Sequence, residues 1–330
     1  MQNREEALKQ WLQNTLNLAQ VTLIPLAGDA SFRRYYRLST AKTSYIIMDA
    51  PPTQEALRPF LEIGLLLKNN QILTPTVHAF DEAQGFALLE DFGDTLLLSK
   101  IRDPKTTDQE IDALYLSALS LLAELQPCHK NSTITLPVFD KTLLHKELNL
   151  FKTWFLEGYL NAKLTPQEKH IIQTTNDWLV DEIAKQPQVF VHRDYHSRNI
   201  MVLDEHNTLG LIDFQDGLLG PVGYDLVSLL KDCYIQWPTE KIMHWLKAYY
   251  LLSENAQQLS LDQFKRAFEL CGLQRHLKVL GIFSRLFLRD DKANYLADLP
   301  LTRHYVMACL ESYPALHEFY TLMETRGLLP

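Results

Sequence analysis

The sequence has little cysteine and no cysteine pairing motif. Its 330 residues include four cysteines, which stand far apart and form no Cys-x-x-Cys pair. This spacing excludes a zinc ribbon and a small disulfide-stabilised domain, and it predicts a reducing, cytoplasmic environment. No apolar run approaches the ~18 residues of a membrane span, and the opening residues predict an amphipathic helix without the apolar centre of a signal peptide. We therefore expect a cytoplasmic protein that does not enter a membrane.

The chain also lacks an excess of basic charge. Lysine and arginine total 32 against 40 aspartates and glutamates, so the net charge is −8. This balance argues against a general binder of nucleic acid or of membrane surfaces. A hydrophobic fraction of 46% and a charged fraction of 22% are ordinary for a globular protein and exclude extended disorder. The length allows about two domains, and no pattern indicates an obligate protein partner.

Strand patterns dominate the first ninety residues, and helical patterns dominate the rest. The predicted strands are at 21–27, 33–39, 44–49, 76–80 and 86–90, with a predicted helix at 54–69 between the third and fourth. From residue 95 onward the apolar spacing is helical, including predicted helices at 143–160 and 261–280, and it is interrupted by a β segment at 190–214. We predict an α+β fold of two lobes: a small β-rich nucleotide-binding lobe at 1–90, and a larger, mostly helical catalytic and substrate lobe at 91–330. The predicted hinge lies near residues 89–94.

The β segment carries a cluster of oxygen-bearing side chains. Two short apolar runs at 200–203 and 209–212 flank a five-residue turn. If Leu203 faces Leu209, the paired residue numbers sum to 412, and Asn199 then faces Asp213. Directly opposed residues hold their Cβ atoms about 5 Å apart. An amide oxygen and a carboxylate at that separation suit Mg²⁺, so Asn199 and Asp213 are predicted to be metal ligands.

Asp194 lies five residues before Asn199, on the loop that enters this hairpin. Phosphoryl transfer needs a carboxylate to orient and deprotonate the attacking hydroxyl, and a metal to neutralise phosphate charge. The pattern His-Arg-Asp-x-x-x-x-Asn followed by a metal-binding aspartate is typical of kinases. We therefore predict an enzyme that uses ATP and Mg²⁺, with Asp194 as its catalytic residue. The alternative is a structural hairpin without chemistry.

These motifs resemble those of the aminoglycoside phosphotransferase family of small-molecule kinases. That family's loop usually reads H-G-D-x-H-x-x-N, and here Arg193 stands at the position of its glycine. Residues 212–217 resemble the family's metal-binding segment, apart from Gly217 at the last position, and residues 224–227 match its Y-D-L-[AV] helix start. Asp225 in that match is expected to be structural, at a helix N-terminus or as an anchor of the loop. The resemblance implies the two-lobed protein-kinase-like fold.

Within the family, several segments resemble a subgroup of anomeric amino-sugar kinases of peptidoglycan recycling. They are residues 28–37, 48–52, 88–94, 191–199, 212–229 and 272–283. This resemblance implies ATP-dependent phosphorylation of the C1 hydroxyl of N-acetylmuramate or N-acetylglucosamine, which makes an amino sugar and ATP the expected partners. Two alternatives stay open: a kinase of an aminoglycoside, choline or amino alcohol, and a non-catalytic nucleotide-binding protein. The second is motivated by Met48, which stands where many kinases keep a phosphate-binding lysine.

The nucleotide site is expected in the first lobe, where a loop of small residues beginning at Gly28 offers backbone N–H groups to phosphate. The cation missing at Met48 would come from one of three nearby arginines at 33, 34 and 37. Strand alternation places the middle one on the opposite face from the other two, so not all three can serve. The assigned ATP-binding residues are Ser31, Phe32, Arg34, Glu90 and Phe92, with the backbone of residues 90–92 pairing with adenine.

The acceptor sugar is expected against the helical lobe. Residues 271–306 contain six cationic and three anionic side chains, a local charge of +3 in an acidic protein. Such a region would suit an anionic acceptor such as N-acetylmuramate, although a solvated basic helix face would give the same count. The residues predicted to bind the sugar are Glu147, Asp216 and Arg275.

Overall fold

A computed structural model describes residues 2–26, 32–131, 134–204 and 206–329 of the chain. The chain forms two compact units. The first comprises Met1–Leu96 and Ile200–Asp216, and the second comprises Leu97–Asn199 and Gly217–Pro330. The functional division into a nucleotide-binding lobe at 1–90 and a catalytic lobe at 91–330 stays a prediction.

The first unit contains an antiparallel sheet of five strands in the order β1-β2-β3-β5-β4. The strands are β1 Ile24–Pro25, β2 Arg34–Ser39, β3 Ser44–Asp49, β4 Val77–Asp81 and β5 Phe86–Glu90. The predicted bounds of β3 and β5 are confirmed. The strand predicted at 21–27 was too long: in its described part the paired residues are Ile24 and Pro25, and Leu26 adds one further hydrogen bond, from its N–H to the Tyr35 carbonyl at 2.9 Å.

Two helices belong to this unit, α1 at Gln2–Leu16 and α2 at Arg58–Asn69. Leu8 and Leu12 of α1 pack into an apolar cluster with sheet residues that include Ile47 and Phe86. Helix α2 starts later than predicted, with a proline in its first turn, where the missing N–H removes no helical hydrogen bond. Its ring at Phe60 stacks on Phe214 with centroids 4.8 Å apart. This contact holds the segment after Asp213 against α2.

The hairpin of the first unit consists of β7 at Ile200–Val202 and β8 at Leu209–Leu211. The paired residues run from Ile200 with Leu211 to Val202 with Leu209, and the two residue numbers of each pair sum to 411. The predicted sum of 412 was therefore wrong, and the ladder does not set Asn199 opposite Asp213. The cause lies in the turn: Leu203 donates its N–H to the Thr208 carbonyl at 2.9 Å, which closes a shorter loop than predicted.

The second unit is mostly helical, and its long helix α9 carries residues that matter to the site. Its helices are α3 Leu97–Arg102, α4 Asp108–Leu125, α5 Lys141–Leu150, α6 Pro166–Ile183, α7 Tyr224–Leu230, α8 Thr239–Leu252, α9 Leu261–Asp290, α10 Leu299–Ser312 and α11 His317–Thr325. The helix predicted at 143–160 changes at Phe151–Tyr159 into a π-helix, and α9 extends ten residues beyond its predicted end. None of the described helices combines the length and apolarity needed to cross a membrane.

A small antiparallel pair completes the second unit, with β6 at Gln188–Val191 and β9 at Leu218–Pro221. The sequence analysis did not predict β9. Residues 190 and 191 at the end of β6 are fully buried, and the loop that contains Asp194 follows them directly. The paired strands therefore supply a rigid base from which this loop starts.

Candidate active site

The loop from His192 to Asn199 is held by a carboxylate on a neighbouring helix. Asp225, in the first turn of α7, accepts the backbone N–H of His192 at 2.6 Å and that of Arg193 at 3.0 Å. Asp225 is fully buried, and burial, which outweighs these two hydrogen bonds, raises its pKa to about 7. The expected structural role of Asp225 as an anchor of the loop is confirmed.

Two further contacts fix the second half of the loop. Tyr195 is buried and donates its hydroxyl to the Ala118 carbonyl of α4 at 2.7 Å. Ser197 donates both its N–H, at 3.1 Å, and its hydroxyl, at 2.5 Å, to the carboxylate of Asp232. The loop is thus tied to α4 and to the segment after α7, which limits its motion around Asp194.

Asp194 lies within this braced loop with 39% of its side chain exposed. Its carboxylate is 3.6 Å from the guanidinium of Arg275 on α9. Burial alone would raise the pKa of Asp194, but Lys278 and Arg275 outweigh it and hold the pKa well below its usual range. Asp194 is therefore ionised at neutral pH, able to accept a hydrogen bond from a hydroxyl group.

A buried ion network lies beside Asp194. Glu147 of α5 is 4% exposed and contacts Arg193 at 2.5 Å and Lys278 at 3.1 Å. Its second oxygen accepts a hydrogen bond from Gln274 at 3.0 Å. Burial raises the pKa of Glu147, but Lys278 and Arg193 more than reverse this effect and lower the pKa. All of these side chains are charged or strongly hydrogen-bonded, which is what a buried ion network requires.

The structure brings two of the predicted sugar-binding residues, Glu147 and Arg275, to the loop that contains Asp194. Lys278 contributed only to the charge count of residues 271–306 in the sequence, and neither its contact with Glu147 nor that of Gln274 was predicted. A signal was available, because residues 274, 275 and 278 lie within one turn of a single helix. Glu147, which is the partner of Gln274 and Lys278, could not be found this way, since it lies more than 120 positions away from them.

Asn199 has the chemistry of a magnesium ligand. It is 8% exposed, and its side-chain N–H donates to the Asp194 carbonyl at 3.0 Å. This bond orients the amide and leaves the carbonyl oxygen on its other side as the group that can meet a cation. An amide oxygen is an acceptable ligand for Mg²⁺.

Asp213 follows β8 in the first unit and adopts a left-handed backbone conformation, with φ of 61°. Its carboxylate is exposed and accepts a hydrogen bond from Gln215 at 2.7 Å. Burial raises the pKa of Tyr35, and the nearby Asp213 carboxylate raises it further, whereas Arg33 lowers it. Asp213 and Arg33 therefore both lie close enough to the Tyr35 hydroxyl to influence its pKa, and a carboxylate oxygen such as that of Asp213 is a ligand that suits a hard cation.

The three candidate phosphate-binding arginines have different partners. Arg33 is 8% exposed and pairs with Glu55 at 3.1 Å. Arg34 pairs at 2.6 Å with Asp49, a buried carboxylate that also receives a hydrogen bond from Arg4. The assignment of Arg34 to ATP binding stays a prediction.

The third candidate, Arg37, is bound to the segment that follows β5. Its guanidinium contacts Asp91 at 2.7 Å and Asp94 at 2.8 Å, and it donates to the Gly93 carbonyl at 3.1 Å. Hydrogen bonding to Asp91 raises the pKa of Arg37. This arginine therefore braces the predicted hinge segment.

The other predicted ATP-binding residues occupy varied positions in the first unit. Phe32 is 61% exposed. The carboxylate of Glu90 accepts the backbone N–H of Thr76 at 3.1 Å, and the ring of Phe92 lies against Gly210 of β8. Ser31, together with the small-residue loop from Gly28, lies outside the described residues. The assignments of these residues stay predictions.

Comparison with known proteins decides the family. Residues 22–267 match the Phosphotransferase enzyme family, which is well over half of the chain. The chain belongs to this family. It is therefore a kinase that transfers a phosphoryl group to an alcohol acceptor, as predicted.

Individual relatives agree with this family. The chain is 39% identical to the N-acetylmuramate/N-acetylglucosamine kinase of Pseudomonas aeruginosa, over 91% of this chain and 87% of that protein. It is 36% identical to the Pseudomonas putida protein of the same name, over 97% of this chain and 96% of that protein. The ADP-bound aminoglycoside phosphotransferase APH(2'')-Ib is similar in fold, with a TM-score of 0.60 at 18% identity over 89% of this chain and 95% of that one. The predicted protein-kinase-like α+β fold is confirmed.

Proposed function

We propose that this phosphotransferase is an ATP-dependent, cytoplasmic kinase of the anomeric C1 hydroxyl of N-acetylmuramate and N-acetylglucosamine, acting in peptidoglycan recycling. One observation carries the proposal: relatives with 36% and 39% identity over nearly the whole chain are named for these two sugars. The four cysteines are buried free thiols, in keeping with a reducing compartment.

In the proposed reaction, the Asp194 carboxylate accepts a hydrogen bond from the C1 hydroxyl and orients its oxygen toward the γ-phosphorus of ATP. The C1 oxygen bonds to phosphorus while the bond to the β–γ bridging oxygen breaks, and that electron pair leaves with ADP. The hydroxyl proton passes to Asp194 and then to solvent. A carboxylate with a lowered pKa is a weak base, so the principal effect of Asp194 is orientation of the hydroxyl.

Asn199 and Asp213 are the proposed oxygen ligands of Mg²⁺. When bound, Mg²⁺ neutralises charge that develops on the β- and γ-phosphates. For ATP we keep the proposed contacts of Ser31, Phe32, Arg34, Glu90 and Phe92. Arg33 and Asp213 both influence the Tyr35 hydroxyl, which supports Arg33 as an additional phosphate-binding cation. It would take the role of the lysine that many kinases have at the position of Met48. The exposed Asp216 is proposed to bind a sugar hydroxyl.

The electrostatics around Asp194 favour a neutral or anionic acceptor over an amine. The guanidinium of Arg275 lies 3.6 Å from the Asp194 carboxylate, and Lys278 and Arg275 together lower the pKa of Asp194. A polycationic aminoglycoside or a choline would bring a further positive charge next to these groups, which is unfavourable. N-acetylglucosamine adds no charge there, and N-acetylmuramate adds a carboxylate.

The acceptor can be tested with a panel and a matched chemical control. The purified protein is incubated with Mg-ATP and N-acetylmuramate, N-acetylglucosamine, the 1-O-methyl glycoside of each, kanamycin or choline. ADP release is followed, and products are identified by ³¹P NMR. We expect turnover of the two free sugars to their 1-phosphates, and none of the glycosides, whose C1 oxygen is blocked. Phosphorylation of a glycoside would refute the C1 assignment, and turnover of only an amine would refute the substrate class.

A further inference from the structure

Arg193, the residue immediately before Asp194, has an unusual backbone conformation. Its φ is 74°, in the left-handed region that glycine adopts freely and that residues with a Cβ adopt only at a conformational cost. The resembling loops carry glycine at this position, whereas this chain carries one of the largest side chains. A strained conformation persists only where surrounding contacts impose it. The contacts of Arg193 therefore indicate which function the left-handed conformation serves.

Those contacts hold Arg193 from both its side chain and its backbone. The guanidinium contacts Glu147 of α5 at 2.5 Å, and the same Glu147 oxygen contacts Lys278 of α9 at 3.1 Å. The backbone N–H of Arg193 is bound by Asp225 at 3.0 Å. Its carbonyl accepts a hydrogen bond from Arg275 of α9 at 2.8 Å.

The Arg275 guanidinium that binds the Arg193 carbonyl is also the one that lies 3.6 Å from the Asp194 carboxylate. Any rotation of the Arg193 peptide would therefore break the contact with Arg275 and turn the Asp194 side chain. Both Arg275 and Lys278 are nearly buried, at 5% and 6% exposure, and are held by their packing in the second unit. Because they are buried, these two side chains are fixed contacts for the loop rather than mobile surface groups.

We propose that Arg193 is a positioning residue, which uses its ion pair with Glu147 to hold the loop in a left-handed turn and so aims Asp194 at the acceptor hydroxyl. Glu147 and Arg275 then act on the loop, as its support, and not on the sugar. The proposal rests on the role of Asp194 in the proposed function. It accounts for an arginine at a position where glycine would relieve the backbone: the side chain supplies a fixed point that glycine lacks.

The test compares Arg193→Gly, Arg193→Lys, Glu147→Gln and the double variant Arg193→Gly/Glu147→Gln. For each, kcat, KM for ATP and the unfolding temperature are measured, with whichever acceptor the wild type uses. We expect Arg193→Gly to lower kcat by about 10- to 100-fold, since small misplacements of reacting groups cost up to about that much. KM for ATP should stay within about twofold. Arg193→Lys, which keeps the charge, should recover part of the lost kcat.

The double variant separates positioning from general destabilisation. If Arg193 acts through Glu147, the two single losses of kcat overlap, and the double variant is no slower than the slower single variant. Wild-type kcat in Arg193→Gly, or losses that multiply in the double variant, would overturn the proposal. If Arg193→Gly does not fold, Arg193→Lys and Glu147→Gln decide: unchanged kcat in both would overturn it. Because all variants use the acceptor that the wild type accepts, a wrong sugar assignment leaves this comparison intact.

Discussion

The buried carboxylate of Asp225 accepts, at 2.6 Å, the backbone N–H of His192, which lies two residues before Asp194, the proposed catalytic residue. Two influences on this carboxylate oppose each other. Burial raises its pKa to about 7, while hydrogen bonds from His192 and Arg193 favour the ionised form. The anchor of the loop can therefore change its protonation state near neutral pH.

The raised pKa of Asp225 predicts a pH-dependent stability. Between the ordinary value of 3.8 and the folded value of about 7, the folded protein keeps a proton that the unfolded chain has lost. Stability from this group is fully present below about pH 4 and is lost as the pH rises through 7. The limiting slope is about 1.4 kcal/mol per pH unit. Asp225→Asn cannot ionise, so the wild-type free energy of unfolding minus that of the variant should fall between pH 5 and 7. Urea unfolding at several pH values measures this difference, and a difference that rises with pH would show that the hydrogen bonds prevail.

Asp194→Asn should bind ATP normally and transfer phosphate slowly. Asparagine keeps the size of the side chain but lacks its negative charge, so it holds the hydroxyl less strongly and cannot accept its proton, and we expect kcat to fall by about 10²- to 10⁴-fold. Nucleotide affinity is measured by titration calorimetry and sugar phosphate by ³¹P NMR. Turnover near the wild-type rate would remove Asp194 from the mechanism. A loss of ATP affinity as large as the loss of kcat would place it in the nucleotide site instead.

Single alanine variants can identify the phosphate-binding arginine. Both arginines are ion-paired, Arg33 with Glu55 and Arg34 with the buried Asp49, but Arg33 and Asp213 also influence the same Tyr35 hydroxyl. A charge-assisted hydrogen bond contributes about 1.5–3 kcal/mol, so Arg33→Ala should raise KM for ATP about tenfold or more. Arg34→Ala is the comparison variant: Arg34 is also a proposed ATP contact, but its charge is already paired with Asp49, so we expect a smaller rise in KM for ATP, of about threefold. The reverse order would support the sequence-based assignment of Arg34.

Two glycines with left-handed backbones test how the first unit is packed. Gly85 has φ of 72°, and a Cβ there would lie 1.9 Å from the Ala50 carbonyl oxygen. Gly93 has φ of 80°, but a Cβ there meets no heavy atom within 4 Å. Gly93→Ala should therefore lower the free energy of unfolding only by the backbone penalty of about 1–2 kcal/mol. Gly85→Ala should lower it by a further ~1–3 kcal/mol, because the backbone around Ala50 must shift to make room for the Cβ. Equal losses of unfolding free energy in urea would contradict this account.

Local patterns determined much of the fold and of the catalytic motif. The strands Ser44–Asp49 and Phe86–Glu90 have the predicted bounds, because a short apolar run between turn-forming residues can be recognised within a few positions of the sequence. The segment from His192 to Asn199 could be assigned to kinase chemistry for a related reason: its side chains and their spacing are contiguous in sequence. The role of Asp225 as an anchor also followed from its place at the start of an apolar helical pattern.

Only the tertiary structure decided which partners these residues meet. The numbers of the paired residues in the hairpin sum to 411 rather than to the predicted 412. The reason is a hydrogen bond between Leu203 and Thr208, which makes the turn one residue shorter than the apolar runs suggest. The ion pair of Arg193 with Glu147 joins residues 46 positions apart, and Gln274 reaches the same glutamate across 127. The sequence shows that these charged and polar side chains are present, and its periodicity shows which of them lie on the same face of a helix. The choice of partner depends on how distant helices pack, and that is a property of the folded chain.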